Sequence, residues 1–455
     1  MAKRAILPQD TALPQLEALR TRRPFVEKLQ EAVTPFVPAG TAVGDVLVTE
    51  CQLLRGETCK LILEVEFRQS DGYREWQTYI ARTAREGHPA PAQLYQTTCD
   101  DTLVPPRFGP PVLFFNDWNM VLWAYPNDPN LPGLRLLEAP KDLLKEMQAE
   151  PRRFGLPASP GMPAGVRTEK LKVVPGKRGG FLVHVQFGPA ETPQTFSLYA
   201  KLFRTGYGKE AFELLQTIWQ HPARKQGEIL IPQPYAFDAP YAVMWQEAVQ
   251  GMPLAKRIDS VHDVDSLAHA IGRRLARLHA IAVSLPEQMT LTYQLSEIDT
   301  AVRRIAARFP DFAARYQQLA GQLQKAASRF GEGRRTLVHG SFKFSHIMMT
   351  ASGILFIDFD AANIGDPGYD VGRFMAHVLR MYVSGKMSFE RAESINRAFI
   401  RGYNEQADAP LSEAYFNWFC ASHLVASQAL KLVKRNKPAQ LEPLYQLARH
   451  YCPRG

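Results

Sequence analysis

The chain has 455 residues, of which 45% are hydrophobic and 22% are charged, and it carries a formal net charge of +9 at pH 7. This length and apolar content predict two or three domains with buried cores and exclude a disordered chain. No apolar stretch approaches the length of a membrane span, and the opening Met1-Ala-Lys-Arg lacks a signal-peptide pattern, so a soluble cytoplasmic protein is expected.

The net charge indicates the kind of ligand, and the cysteines indicate the redox compartment. A net positive charge favours an anionic ligand, whereas the scattering of the basic residues disfavours nucleic acid. The densest basic patches, Arg20–Arg23, Arg273–Arg277 and Lys431–Arg435, are interpreted as solvated helix faces. Five cysteines, at positions 51, 59, 99, 420 and 452, lack metal-ligand spacing and are interpreted as free thiols in a reducing compartment.

The first 150 residues contain a segment that matches a later one at an offset of 120 positions. The aligned pairs are Leu54–Phe67 with Val174–Phe187, Tyr79–Arg82 with Tyr199–Leu202 and, after a slip of two residues, Val121–Trp123 with Val243–Trp245. We therefore predict a duplicated β-rich domain, in which Ala81 occupies the position of Lys201. Two unrelated β-hairpin domains are the alternative.

Turn-forming residues divide the chain. Asn127–Gly133 is rich in turn-forming residues and predicts a connector. The dense prolines and glycines of Pro151–Pro163 predict a linker. The predicted domains are an amino-terminal α+β domain over residues 1–150, a linker over 151–164, a β-rich domain over 165–252 and a helical domain over 253–455.

The β-rich domain contains two informative strand patterns. Val173–Val185 predicts a hairpin whose turn carries Gly176, Lys177 and Arg178. Phe196–Phe203 alternates as a strand around Lys201, a charge with no evident reason to lie in an apolar run.

Helical patterns follow. Glu210–Trp219 predicts a helix with one apolar face. Val264, Leu267, Ile271, Leu275 and Leu278 recur at helical spacing, and residues 296–329, 369–384, 388–406 and 411–434 are also predicted to be helical.

The most specific pattern lies inside this helical region. A short apolar strand ends at His339-Gly340, and a second strand, Ile354–Ile357, delivers Asp358 at its end. A carboxylate held rigidly at a strand end suits a metal ligand that faces polyphosphate oxygens, although a hairpin with an exposed acidic tip gives the same local pattern.

The order of these segments resembles the aminoglycoside phosphotransferase and choline kinase-like superfamily, which is related to protein kinases. That family carries His-Gly-Asp followed by Asn in its catalytic loop, then Ile-Asp-Phe or Ile-Asp-Trp, then Gly-Asp-Pro and Asp. The matching positions here are His339, Gly340, Asp358, Gly365, Asp366, Pro367 and Asp370. The resemblance implies a bilobal protein kinase-like α+β fold, with a small β-rich lobe and a large helical lobe, preceded by the extra amino-terminal domain.

Two positions depart from the family pattern. Ser341 stands where the family has the Asp that accepts the substrate's hydroxyl proton, and His346 stands where it has the metal-binding Asn. Loss of a general base typically costs about 10²- to 10⁴-fold in rate, yet phosphoryl transfer depends mainly on positioning and charge neutralisation. His346 is either a metal ligand that favours manganese or zinc over magnesium, or a hydrogen-bonded loop histidine. Lys343 is either a contact to the transferred phosphate or a solvated lysine.

The resemblance also implies a nucleotide site in the β-rich lobe. Lys201 is the expected phosphate contact and Glu213 its ion-pair partner, with Glu210 as a competitor. In the hairpin, Gly176, Lys177 and Arg178 are expected over the phosphates. Val243–Leu254 resembles the family's hinge, which would place the backbone of Glu247 and Ala248 at the adenine edge.

Two functions follow from the resemblance. The first is an ATP- and Mg- or Mn-dependent phosphotransferase that acts on a hydroxyl of a sugar-like or amino-alcohol metabolite, with Ser341, Lys343 and Asp358 at its centre. Its expected partners are the nucleotide and an acceptor that is either a small molecule or a protein. The second is a pseudokinase with a nucleotide-binding regulatory or scaffolding role, suggested by the replacements at Ser341 and His346.

Overall fold

The computed structural model describes Ala5, Leu7 and residues 12–54, 58–99, 102–158, 161–189, 194–331 and 333–453. Residues 55–57, part of the first aligned hairpin, and residues 159–160 of the expected linker lie outside this set. The chain divides into two compact units. The first holds residues 1–209 and 235–248, and the second holds residues 210–234 and 249–455.

The first unit contains two five-stranded antiparallel sheets. The first sheet consists of β1 (Ala42–Leu54), β2 (Thr58–Arg68), β3 (Arg74–Ala84), β4 (Val112–Phe115) and β5 (Met120–Ala124). The second consists of β6 (Pro163–Val174), β7 (Arg178–Phe187), β8 (Gln194–Leu202), β9 (Pro234–Asp238) and β10 (Val243–Glu247). Its helices are α1 (Gln15–Thr21), α2 (Arg23–Val33), α3 (Ala90–Thr98), α4 (Gly133–Leu137) and α5 (Pro140–Ala149).

Each sheet has its own apolar core. Phe25 and Leu29 of α2 pack with alternate residues of β2, such as Leu61 and Leu63. In the second core, Leu143 of α5 and other helical residues pack with strand residues; the members include Leu134, Phe154, Phe181, Val183, Leu198 and Trp245. Phe154, a member of this core, lies in a short 3₁₀ helix, Pro151–Phe154, within the stretch that was expected to be a linker.

The two sheets share one strand order. The first runs β1-β2-β3-β5-β4 and the second β6-β7-β8-β10-β9. In β3, Ala81 pairs with Leu122, as Lys201 in β8 pairs with Met244. A duplication requires that the two sheets share their strand order and that Ala81 and Lys201 occupy equivalent paired positions, as they do. The duplication itself stays a prediction.

The second unit is mainly helical. Its helices are α6 (Lys209–Gln220), α7 (Pro222–Lys225), α8 (Leu254–Arg257), α9 (Val264–His279), α10 (Leu291–Arg308), α11 (Ala313–Ala327), α12 (Pro367–Val383), α13 (Phe389–Gln406), α14 (Glu413–His423), α15 (Leu430–Lys434) and α16 (Leu441–Tyr451). Its strands are β11 (Met252–Pro253), β12 (Glu287–Met289), β13 (Thr336–Val338), β14 (Ile347–Thr350), β15 (Gly353–Phe356) and β16 (Asn363–Gly365). They form two small sheets, β11-β14-β15 and β12-β16-β13.

Two predicted helical stretches are interrupted. Residues 296–329 divide at Phe309, whose ψ of 77° is non-helical, because the following Pro310 disfavours a helical residue before it. Residues 411–434 contain a π-helical segment, Leu424–Ala429, between α14 and α15.

Close packing of α9 on α13 places the helix ends that support the catalytic loop. A Cβ atom at Gly272 would clash with the carbonyl oxygen of Phe399, and one at Gly402 would clash with that of His269. The two glycines therefore let the helix backbones approach closely. Among the described residues, no helix has the length and apolar character needed to span a bilayer.

Candidate active site

The buried carboxylate of Asp370 holds the catalytic loop in place. It accepts hydrogen bonds from the backbone amides of His339, at 2.6 Å, and Gly340, at 2.9 Å. His279 Nε2 lies 3.2 Å from the same carboxylate, and its Nδ1 lies 2.9 Å from the hydroxyl of Tyr403. Burial alone would raise the pKa of Asp370, but the hydrogen bond and charge of His279, with the contacts to His339, bring this pKa below its usual value.

His339 connects the catalytic loop to the segment that carries Asp358. Its ring is fully buried, and Nε2 lies 3.0 Å from the carbonyl oxygen of Ile357. Burial lowers the pKa of His339, so the neutral ring donates from Nε2 and keeps an acceptor at Nδ1. His339 thus acts as a positioning residue that connects the two loops.

Ser341, His346 and Asp358 form a continuous hydrogen-bonded chain. Ser341 Oγ lies 3.1 Å from His346 Nδ1, and His346 Nε2 lies 3.1 Å from Asp358 Oδ2. The His346 side chain is 9% exposed and that of Asp358 is 29% exposed. The structure therefore brings together the two replaced positions and the carboxylate of the second strand.

The backbone at Asp358 is unusual. Its φ of 69° lies in the left-handed region, which few non-glycine residues adopt. Such strained positions cluster at functional sites because the surrounding structure must enforce them. Nearby, Gly340 has φ 73°, and a Cβ there would clash with the carbonyl oxygen of Ala361. Only glycine fits at this contact between the two loops.

The Gly-Asp-Pro segment has a structural role. Asp366 caps the start of α12 by accepting a hydrogen bond of 2.8 Å from the amide of Gly368, and Pro367 occupies the first helical position. The hydroxyl of Tyr415 donates to the same carboxylate. Burial raises the pKa of Asp366 to about 6.

Apart from Glu213, the candidate residues of the predicted β-rich domain lie in the first unit. Lys201 is 8% exposed in β8, with its ammonium 5.6 Å from the centre of the Phe203 ring. Glu247 ends β10, and the chain passes into the second unit after Ala248, at the predicted hinge. Glu213 lies on α6, in the second unit. The pairing of Lys201 with Glu213 stays a prediction.

The predicted hairpin forms, and earlier parts of the chain hold its turn. The amide of Gly176 donates to the buried carboxylate of Asp128, and Lys60 Nζ donates to the carbonyl of Pro175 at 2.9 Å. Lys177 Nζ forms an ion pair of 2.7 Å with Glu50. Arg178 is exposed at the start of β7. A phosphate contact by Gly176 or Lys177 would replace these bonds, and the proposed roles of all three turn residues stay predictions.

A metal site built from protein groups alone is not present in the described part of the chain. No cluster of three or more His, Cys, Asp or Glu side chains there is arranged to hold an ion. His346 and Asp358 supply two donors. All five cysteines are free thiols, as the sequence predicted.

Comparison with known families decides the assignment. The sequence model of the family described as "Phosphotransferase enzyme family" matches residues 191–413. These residues belong to the phosphotransferase enzyme family. The match includes the catalytic loop, Asp358 and the Gly-Asp-Pro segment, and it confirms the resemblance on which the sequence interpretation rests.

Solved structures give distant matches. A choline/ethanolamine kinase family protein from Mesorhizobium loti is 17% identical, with a TM-score of 0.42 over 68% of this chain and 94% of that one. Choline kinase LicA from Streptococcus pneumoniae is 14% identical, with a TM-score of 0.41 over 69% and 98%. A glucosamine kinase in complex with glucosamine, ADP and inorganic phosphate is 14% identical, with a TM-score of 0.43 over 93% and 97%. The search of curated proteins finds no match.

The predicted α+β class is confirmed: the first unit contains two five-stranded antiparallel sheets, the second is mainly helical, and residues 191–413 match the phosphotransferase family. The comparisons do not support the pseudokinase alternative. Two supporting residues, His279 and Tyr403, were not predicted, because a single histidine at a helix end and a tyrosine on a distant helix carry no local signal.

Proposed function

We propose that the protein transfers the terminal phosphate of ATP to a hydroxyl of a small metabolite. The observation that carries this proposal is the Asp358 carboxylate, held in left-handed backbone geometry beside the His339-Gly340 turn within the matched family segment. In this proposal Lys201 and the turn at Gly176, Lys177 and Arg178 bind phosphate, with Glu213 paired to Lys201. The backbone of Glu247 and Ala248 meets the adenine.

The residues present fit a divalent ion. Two ligands about 2.1 Å from an octahedral ion and at right angles lie about 3 Å apart. His346 Nε2 and Asp358 Oδ2 are 3.1 Å apart, so the same two atoms could be adjacent ligands. Mg²⁺ and Mn²⁺ sites in phosphotransferases take their remaining ligands from water and phosphate, so two protein donors suffice.

Ser341 then acts as a positioning residue. A metal-bound imidazole usually donates its other N–H to an oxygen that fixes the ring orientation. Ser341 Oγ is placed for this contact with His346 Nδ1. A bound ion would neutralise charge on the phosphoryl oxygens, and Lys343, two residues after Ser341, would contact the transferred group. The site thus depends on positioning and charge rather than on an aspartate base.

A pseudokinase that binds nucleotide without turnover is the second candidate. The observation that favours it is the replacement at Ser341, since a serine hydroxyl cannot serve as a base near neutral pH. Steady turnover by the purified protein would eliminate this candidate.

The test combines binding with turnover. ATP with Mn²⁺ or Mg²⁺ is expected to raise the melting temperature of the full chain, because a ligand that binds the folded state stabilises it. A screen of hydroxyl-bearing metabolites should then reveal phosphate transfer that Asp358→Ala abolishes. The exposed Asp311 provides a matched control, and Asp311→Ala should retain the activity. Normal nucleotide binding without any acceptor in the screen would refute the proposal.

A further inference from the structure

Three arginines of α9 line a cavity of about 250 Å³ in the second unit. Its walls come from α9, from the last residue of α13 and from the loop that follows α7. Pockets for drug-sized ligands have volumes of roughly 300–1,000 Å³, so this cavity suits a smaller molecule. The polar side chains that line it are those of Glu228, His269, Arg273, Arg274, Arg277 and Gln406.

The sequence interpretation of Arg273–Arg277 as a solvated helix face holds only in part. Arg273 is exposed, whereas Arg274 and Arg277 are half-buried. Arg277 lies four residues after Arg273 and three after Arg274, and residues at these two spacings are neighbours on a helix surface. The three guanidinium groups therefore share one side of α9, at the cavity that all three line.

The cavity has more positive than negative charge. Of the described side chains that line it, Glu228 is the only carboxylate, and it forms an ion pair of 3.0 Å with Arg277. Arg273 Nη2 donates to the neutral amide oxygen of Gln406 at 3.2 Å. Neither Arg273 nor Arg274 forms an ion pair with any residue that the structure describes. Three guanidinium charges less one carboxylate charge leave an excess of two positive charges.

Two of the arginines have donors that are not used. The Nε atoms of Arg274 and Arg277 are buried and have no hydrogen-bond partner in the described part of the chain. An unsatisfied buried donor is unfavourable. The edge of a guanidinium that holds Nε and Nη forms two parallel hydrogen bonds with an oxyanion, so turning this edge toward a bound oxyanion would satisfy the donor.

The packing of α9 on α13 fixes the cavity wall on the side of α9 away from the catalytic loop. The carbonyl oxygen of His269 lies so close to Gly402 that a Cβ there would clash, and His269 Nε2 lies 2.7 Å from Glu405 Oε2. Arg277 precedes His279, which contacts Asp370, by two residues, so their side chains point about 200° apart around the helix axis. The cavity is therefore separate from the candidate active site.

We propose that this cavity binds a small phosphate-bearing metabolite. A phosphate monoester carries a charge of about −1.5 to −2 at pH 7, which matches the two excess positive charges of the lining side chains. Arginine forks recognise phosphate oxygens through paired hydrogen bonds. The inference does not depend on the proposed phosphate transfer, because none of the lining residues has a role in it.

The test is calorimetric titration of the full chain at pH 7.5, with AMP-PNP and Mg²⁺ at saturation so that the proposed nucleotide site is filled. Glycerol 3-phosphate is the phosphate probe, glycerol is its neutral counterpart, and malonate is a dianion without phosphate. Glycerol 3-phosphate is expected to bind, and glycerol is not. Malonate should bind more weakly, because its two charges lie at separate ends. Equal binding of glycerol or of malonate overturns the assignment to phosphate.

Variants locate the binding. Arg273→Gln and, separately, Arg274→Gln are expected to weaken the binding of glycerol 3-phosphate roughly tenfold or more, since each removes a positive charge from the cavity. Glu228→Gln is expected to tighten it by about threefold or more, because it removes the opposing carboxylate and frees Arg277.

The matched control is Arg304→Gln, at an exposed arginine of α10 that does not line the cavity, and it should bind as the parent does. Arg273 is exposed, so its replacement keeps the test valid even where Arg274→Gln fails to fold. A melting temperature measured without the probe shows which variants are folded. Unchanged binding in every folded arginine variant of the cavity overturns the inference.

Discussion

Ser341 and His346 are departures from the family pattern that the structure joins to Asp358. If Ser341 orients His346 as a metal ligand, Ser341→Ala should weaken Mn²⁺ binding by about 10-fold or more, as loss of outer-shell contacts does. The electron paramagnetic resonance signal of free Mn²⁺ during titration measures this affinity. Ser352→Ala, at an exposed serine in the β14–β15 turn, is the control. Unchanged affinity in Ser341→Ala would show that the serine has no such role.

Substitutions at Asp358 can distinguish the effect of its left-handed backbone conformation from the effect of its charge. Asn tolerates this conformation, whereas a β-branched residue does not. Asp358→Asn should therefore melt close to the parent, and Asp358→Val should melt lower. Both should lose phosphate transfer, because neither supplies a carboxylate. Thermal unfolding and a turnover assay check the two parts, and retained turnover in Asp358→Asn would contradict the role given to the charge.

Lys431 predicts a pH-dependent stability. Burial first, and then the neighbouring cations, lower its pKa from 10.5 to about 7. The unfolded chain then holds a proton that the folded chain has released between about pH 7 and 10, so the free energy of unfolding rises with pH in that window. Below pH 7 the half-buried charge of Lys431 destabilises the fold fully.

Lys431→Met removes this charge, so its melting temperature should exceed that of the parent by ~3 °C or more at pH 6. The difference should shrink toward zero near pH 10, where the amine is neutral in both states. Differential scanning calorimetry across this range, with Lys434→Met as the control, measures it. A difference that does not vary with pH would contradict the placement of Lys431 among cations.

At the scale of elements, the contact of α9 with α13 sets the position of His279 at the end of α9. Gly272→Ala should destabilise the protein, because its Cβ meets the Phe399 carbonyl. Gly321 lies on α11 with open space around it, so Gly321→Ala should stabilise the protein by about 0.5–1 kcal/mol through helix propensity. Urea unfolding of both variants gives the comparison. Equal effects would mean that the helices separate at little cost.

The elements that could be predicted are those with a local pattern. The hairpin at 173–185, the strand around Lys201 and the strand before Asp358 have alternating or apolar runs with clear turn residues, and all three form. Strands such as β11 and β12 have two or three residues, too few for a period to be detected. Pro310 indicates a helix end at Phe309, but the helical spacing of apolar residues on both sides favours one continuous helix, so the break was not predicted.

The site was predictable only where its motif is continuous. His339, Asp358 and Asp370 follow from spacing, whereas the contact of Asp370 with His279 joins positions 91 residues apart. Likewise, no pattern in Lys431–Arg435 distinguishes a half-buried lysine from a solvated one, because burial depends on contacts from elsewhere in the tertiary fold. Long-range contacts of this kind belong to the tertiary fold and leave no local trace.

At the scale of the whole chain, residues far apart in sequence hold the Pro175–Lys177 turn. Asp128→Ala removes the acceptor for the Gly176 amide, so hydrogen–deuterium exchange at this turn should accelerate. Asp142→Ala, at an exposed position on α5, is the control. Exchange followed by mass spectrometry measures the effect, and unchanged protection would mean that Lys60 alone fixes the turn.

The division of the chain into two units also determines where a stable amino-terminal fragment can end. Residues 235–248 return to the first unit and supply β10 and most of β9. A fragment that stops at residue 209 would lack both strands, and β8, with Lys201 near its end, would become an open edge ready to pair with other molecules. Anyone who wishes to purify the amino-terminal half alone should therefore graft the 234–248 hairpin onto it, or expect a precipitate.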